Sequence, residues 1–201
     1  MPDKRCGACK ACCRDLKIDT PEFHKEGLVL CPHYTGTGCG IYAKRYKVCR
    51  EFLCGWRLFP ELDEAWRPDL SGVLILQIPY NTLPEKYQTA GHGLHLVLPG
   101  GEAAVTRPGF AEYVCAVVGR GVAVYLSVFS SNALINQYLE PVAAANDIPA
   151  AGRVLLNLHR LLVTAGERKS TFRALPYLYR LQLERWRSLA GKRFKNGQAT
   201  E

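Results

Sequence analysis

The sequence predicts an α+β fold in which a small cysteine-rich metal module packs on a β-sheet body with C-terminal helices. Three observations carry the expectation. Eight of the nine cysteines crowd between Cys6 and Cys54. From about residue 70 to 130, β-branched and aliphatic runs alternate with Gly and Pro. After Ser130 the apolar spacing becomes helical. Strands followed by helices favour α+β over a doubly wound parallel sheet.

At 201 residues the chain is long enough for one sizeable core with a small module attached. It is 48% hydrophobic and 22% charged, which argues against disorder. The opening "MPDKRCGACKACC" has no apolar h-region. The apolar run around Val73–Ile78 is far too short to span a bilayer. The expectation is a cytoplasmic protein with no membrane segment. In a reducing compartment, clustered cysteines point to metal binding or redox chemistry rather than to disulfides. The formal charge of +8 counts every thiol as neutral. Two four-thiolate metal sites of roughly −2 each would bring it to about +4. The remaining excess would suit an acidic partner.

The division expected is 1–60, a cysteine module, and 61–201, an α+β body forming one compact unit with it. Residues 1–60 are too poor in aliphatic runs to fold by apolar burial, and bound metal would supply the missing folding energy. In the body, "SGVLILQIPY", "GHGLHLVLPG" and "YVCAVVGRGVAVYLSVF" read as strands, the last as two strands about a Gly119–Gly121 turn. Residues 79–91 and 99–112 read as loops. A helix should begin at Ser130 or Ser131 and end or kink before Pro141. The next has Asp147 as cap and Pro149 in its first turn, with Val154, Leu155, Leu158, Leu161 and Leu162 as its apolar stripe. A last helix should run from about Thr171 to Leu189, before a frayed tail.

The cysteines are spaced Cys6-x2-Cys9-x2-Cys12-Cys13, then Cys31-x7-Cys39, then Cys49-x4-Cys54. Two-residue spacings let a short loop wrap one metal while backbone amides donate to sulfur. In an extended segment Cys12 and Cys13 would point to opposite sides, so that they serve two sites or one ligates while the other packs. Eight thiols divide neatly into two four-thiolate sites, with one site holding bridging or spare thiols as the alternative. The metal ligands expected are therefore Cys6, Cys9, Cys12, Cys13, Cys31, Cys39, Cys49 and Cys54. Cys6-x2-Cys9-x2-Cys12 with a later "CP" at Cys31–Pro32 echoes the three-plus-one ligation of a [4Fe-4S] cubane. Zinc prefers two separate CxxC knuckles. Both cofactors, an iron–sulfur cluster or zinc, suit the thiols, with iron–sulfur slightly favoured. Cys115, alone in "YVCAVV", reads as a core residue on a strand.

"CGACKACC" followed by "CPHYTGTGCGIYAKRYKVCREFLC" resembles the YkgJ-type cysteine-cluster family, the zinc- or iron-chelating CxxCxxCC domain. The resemblance covers about residues 6–57. Cys39, Ile41, Tyr42, Arg45, Cys49, Arg50, Phe52 and Cys54 match the family's ending, and Tyr46 stands where the family usually has proline. The resemblance implies metal chelation by the eight cysteines. A branch with a similar cluster, the flagellin lysine-N-methylase, is associated with an iron–sulfur cluster and methyl transfer. It implies, as an alternative, a methyltransferase acting on protein lysine.

The rest of the chain carries no Gly-rich phosphate loop and no G-x-S-x-G elbow. Arg50 follows a ligand and reads either as a donor to its thiolate or, preferred, as a solvated side chain; His33 is an alternative ligand, with a surface histidine the preferred reading. His92 and His95 would fall on opposite faces of a strand and share no metal. Tyr42, Tyr46, Phe52, Trp56 and Phe59 would form a dry shell joining module to body. Arg173, Arg180 and Arg187 fall on one helical face near Lys169 and Arg185, a stripe that would suit nucleic acid as a second alternative. The partner is otherwise a protein or small molecule of unspecified kind.

Overall fold

The computed structural model describes residues 4–128 and 131–166. Regular structure is sparse at first. Helix α1 (Ala11–Asp15) precedes strands β1 (Ile18–Asp19) and β2 (His24–Lys25), which pair antiparallel. Helices α2 (Lys47–Glu51) and α3 (Gly55–Leu58) follow. Between residue 4 and Leu53 the only buried residues are Ala11, Asp15 and Lys25. Two lysines do part of what an apolar core would do. Lys4 Nζ donates to the carbonyls of Trp56 (2.8 Å), Phe59 (2.7 Å) and Leu62 (2.5 Å). Lys25 Nζ donates to those of Arg14 (3.1 Å), Glu26 (2.9 Å) and Val29 (2.8 Å). Each ammonium spends all three of its donors on main-chain carbonyls, which ties separated loops together.

The body contains α4 (Pro68–Ser71), β3 (Leu74–Pro79), α5 (Glu85–Gln88), β4 (His92–Val97), α6 (Glu102–Thr106), α7 (Phe110–Gly119), β5 (Val124–Val128), β6 (Ser131–Leu134), α8 (Asn136–Ala144) and α9 (148–166). The four strands form one mixed sheet in the order β3-β4-β5-β6. The pairs β3/β4 and β5/β6 are antiparallel, and β4/β5 is parallel with Leu94 opposite Val124. A parallel pair cannot be joined by a hairpin, so α6 and α7 make the crossover. Leu94, Leu96, Val124 and Leu126 of the central strands join Phe110 and Val114 of α7, Leu139 of α8 and Leu155 of α9 in one core cluster. Cys54 and Trp56 belong to the same cluster, so the end of the cysteine segment is rooted in the body. Helices with a mixed sheet make the fold α+β. Among the described residues no helix is long and apolar enough to cross a membrane.

Several expected elements are different. The run read as two strands about Gly119–Gly121 is helix α7 and then β5. A short apolar run fits a buried helix as well as a strand. Here Phe110, Val114, Cys115, Val117 and Val118 are all buried, a helical spacing that puts them on one face. Gly121, at φ +75°, follows the helix end instead of turning a hairpin. Residues 99–112 hold α6 and the start of α7, and 79–91 hold α5, so neither is wholly loop. Ser131 opens strand β6, and the helix begins only at Asn136. Pro141 lies inside that helix without ending it. Its missing N–H leaves only the carbonyl of Gln137, an exposed residue, without its helical donor. The cap of α9 is as expected: Asp147 Oδ1 accepts from Ala150 N–H at 2.9 Å. Its buried face runs through Ala151, Leu155 and His159, while Leu161 is 66% exposed. The expected Thr171–Leu189 helix, its arginine stripe and the tail lie outside the described residues.

Asn136 fixes the β5–α8 corner. Its buried Oδ1 accepts from Val124 N–H (2.7 Å), and its Nδ2 donates to the Val122 carbonyl (2.8 Å). Asn136→Ala orphans two buried main-chain groups and should cost on the order of 2–4 kcal/mol in urea unfolding. Asn136→Asp should cost more at neutral pH, because a carboxylate would face the Val122 carbonyl. A loss below about 1 kcal/mol for Asn136→Ala would show that the amide is not holding the corner.

Candidate metal centre

Seven of the eight clustered cysteines line one cavity of about 530 Å³: Cys6, Cys9, Cys12, Cys13, Cys31, Cys39 and Cys49. Short local bonds bring them there. Cys9 N–H donates to Cys6 O (2.8 Å), turning the first loop. Cys12 and Cys13 sit on α1, and Cys31 N–H donates to Cys13 O (3.0 Å), tying a distant segment to that helix. Cys39 is bridged to Tyr34, and Cys49 lies on α2. Leu16, Ile18, Phe23, Val48 and Phe52 give the cavity apolar walls, and Leu76 of β3 adds the body's share. Cys54, buried at the N-cap of α3, is the eighth. All nine cysteines are free thiols. Cys12 and Cys13 are consecutive on a helix rather than extended, so they are not thrown to opposite sides.

The charges sort the thiols into two neighbourhoods. Cys12 donates to Cys13, which raises the Cys12 pKa, and burial and the charges of Cys6 and Cys9 raise it further. The same hydrogen bond lowers Cys13 to about 6, helped by the positive charges of Lys25 and Arg45 and opposed by burial. The two therefore titrate as a pair, with the shared proton on Cys12 and the thiolate on Cys13. Burial first, then the charges of Cys31, Cys13 and Cys39, push Cys49 up. Burial also pushes Cys54 up, and Cys6 adds to it. Cys9 is pushed up to about 11, mainly by burial and then by the Asp69 carboxylate, to which its thiol donates. Cys6 and Cys9 act on Cys12 and Cys6 on Cys54, Cys31, Cys13 and Cys39 act on Cys49, and the Cys12–Cys13 pair links the two groups. These are sets by proximity, not coordination spheres: among the described residues no three His, Cys, Asp or Glu side chains form a group arranged to hold a metal ion.

Three residues that sequence reasoning missed act on the thiols. Lys25 and Arg45 lower Cys13, and Asp69 of α4 accepts from Cys9. Asp69 is itself held by Arg67 Nε at 2.6 Å. Nothing in spacing marks Asp69, which lies beyond the last clustered cysteine. Arg45 carries a weak signal, being one of two cations, with Lys44, between Tyr42 and Tyr46; its guanidinium lies 3.8 Å from the Tyr42 ring centroid. Arg50 is the solvated side chain of the two readings and not a thiolate donor. It is exposed and donates to the Arg45 carbonyl. His33 lies on the cavity wall beside the stacked Phe23 and Tyr46 rings, whose centroids are 4.5 Å apart. His92 stacks on Phe59 at 5.7 Å, while His95 is half-buried between Leu76 and Tyr125 in register. Of the expected dry shell, Trp56 is buried, Tyr46, Phe52 and Phe59 are half-buried, and Tyr42 is 61% exposed and outside it. Cys115 is a core residue as expected, on a helix rather than a strand.

Comparison with known protein families, curated proteins and solved structures finds no match to this chain.

Cys13 is the thiol most ready to react. In metal-free protein at pH 7, iodoacetamide should label Cys13 before Cys9 or Cys12, since only the thiolate attacks. The labelling rate should fall to half near pH 6 and fade below it. Peptide mapping after short exposure reads the order, and first labelling of Cys9 would contradict it.

Proposed function

We propose that residues 6–54 form a polythiolate metal centre in which eight cysteines act as two four-thiolate sets meeting at Cys12–Cys13. The observation that carries the reading is the gathering of thiols from separate chain segments around one cavity, divided by their mutual charges at that adjacent pair. The donor chemistry fits: soft thiolates select zinc or iron–sulfur over hard cations. The resemblance of the cysteine motif to the YkgJ-type family supports the same conclusion.

For the first set the proposed group is an iron–sulfur cluster. Cys6, Cys9 and Cys12 are closely spaced in sequence and act on one another's charge, and Cys54, distant in sequence and influenced by Cys6, would complete a three-plus-one pattern. When bound, such a cluster supplies one-electron chemistry, whereas zinc would supply a structural clamp. The chain's own residues prepare the site. Leu16, Phe23, Phe52 and Leu76 exclude water from one side of the cavity. Lys25 and Arg45 favour the thiolate form of Cys13, and Asp69 takes the Cys9 proton's hydrogen bond. Thiols that are protonated by burial must release protons as metal enters, so uptake should weaken as pH falls.

Anaerobic purification, a visible spectrum and counts of zinc, iron and sulfide per chain test the reading. A brown protein with bound iron and sulfide supports the cluster, and a colourless one with zinc replaces it by structural zinc. Absence of any bound metal after reconstitution sinks the proposal. Cys9→Ser should remove one set's metal and Cys49→Ser the other's, while Cys115→Ser keeps both.

A further inference from the structure

Lys25 sits where the two chain segments bearing Cys13 and Cys31 meet. It is 4% exposed. Its Nζ is bonded to the carbonyl of Arg14, the residue after Cys13, and to that of Val29, two residues before Cys31. Its third bond, to Glu26 O, and the bond to Val29 O straddle Leu28, a leucine held at φ +62°. The lysine thus fixes the loop that delivers Cys31 in a backbone conformation a leucine rarely adopts. The groups whose negative charge would favour its ammonium are Cys31, Cys13, Asp15 and Cys12, and of these thiols Cys13 carries the thiolate in the metal-free protein. Asp15 accepts two bonds from Arg14 at 2.7 and 3.2 Å but still faces the ammonium, so it competes with the thiols for that charge. A lysine taken out of water is costly unless something negative offsets it, and an anionic tetrathiolate site is such a partner.

We infer that Lys25 is a positioning residue for the second thiolate set: it holds the Cys13 and Cys31 segments together and supplies the fixed positive charge that offsets a metal–tetrathiolate anion there. This rests on the two-set reading above and goes beyond it by assigning a non-ligand residue chiefly to the second set, since Cys31 and Cys13 act on Lys25 more strongly than Cys12. Lys4 is the internal contrast. It captures three carbonyls in the same way, yet those carbonyls belong to Trp56, Phe59 and Leu62, away from the second set.

Cobalt(II) titrated anaerobically into metal-stripped full-length protein, in competition with a chelator, reads each set through its sulfur-to-cobalt charge-transfer band. Lys25→Gln keeps a donor and removes the charge. It should weaken one of two cobalt equivalents by roughly ten- to a hundredfold and leave the other unchanged, the range typical of groups just outside a metal's ligands. Lys4→Gln should leave both affinities in place. Asp15→Asn removes a competing negative charge and should tighten the same equivalent that Lys25→Gln weakens, a sign that a purely structural role would not produce. Equal weakening of both equivalents by Lys25→Gln, unaltered binding, or an Asp15→Asn protein that binds no tighter overturns the inference. If Lys25→Gln does not fold, Asp15→Asn decides alone. Failure of the unmodified chain to bind cobalt defeats the metal reading instead, so the two failures are distinguishable.

Discussion

The dominant constraint is that residues 4–53 bury only one apolar side chain, Ala11. A segment of that length cannot be held by the hydrophobic effect, and its β1/β2 pair is too short to be stable alone. Everything characteristic of the region follows from replacing apolar burial with directed polar attachment. Lysine ammonium groups collect carbonyls, one main-chain bond ties Cys31 to Cys13, and thiols converge on a cavity. Each device joins positions far apart in sequence, which is what a core normally does. The polar attachments hold the loops near one another, and metal–thiolate bonds would close what remains open.

The body's contribution is a fixed wall. α3 packs on β3 so closely that a Cβ at Gly55 would meet Ile75 Cβ at 2.6 Å, so only glycine permits this approach. On the same strand Leu76 lines the thiol cavity. Asp69, just before β3, reaches Cys9. The edge strand therefore carries the join between sheet and thiols, and its own position is set by six register pairs with β4. Sheet, close glycine contact and cavity thiols form a chain of dependence that runs from the body to the cavity.

How far this was legible in the sequence varies by physical signal. β3 and β4 were legible because β-branched and aliphatic runs are bounded by Gly and Pro. The α9 cap was legible because Asp147 and Pro149 have a local mechanism. α7 was not, since "FAEYVCAVVG" is apolar on one face at helical spacing yet short enough to pass for a strand. β6 was misread because "SNAL" supplies a plausible cap, and tertiary pairing with β5 overrides it. In the site, thiol spacing marked all seven cavity cysteines and Cys54. The groups that tune them stayed hidden. Lys25, Arg45 and Asp69 act through space, and no spacing rule connects residue 69 to residue 9.

We propose that metal held by these thiols supplies the folding energy that apolar burial does not. Amide hydrogen exchange, compared between metal-loaded and metal-stripped protein, tests it most directly. Stripping should speed exchange across residues 9–54 while β3, β4 and β5 keep their protection, because the body has its own core. Unchanged protection across residues 9–54 after the metal is removed would contradict the account.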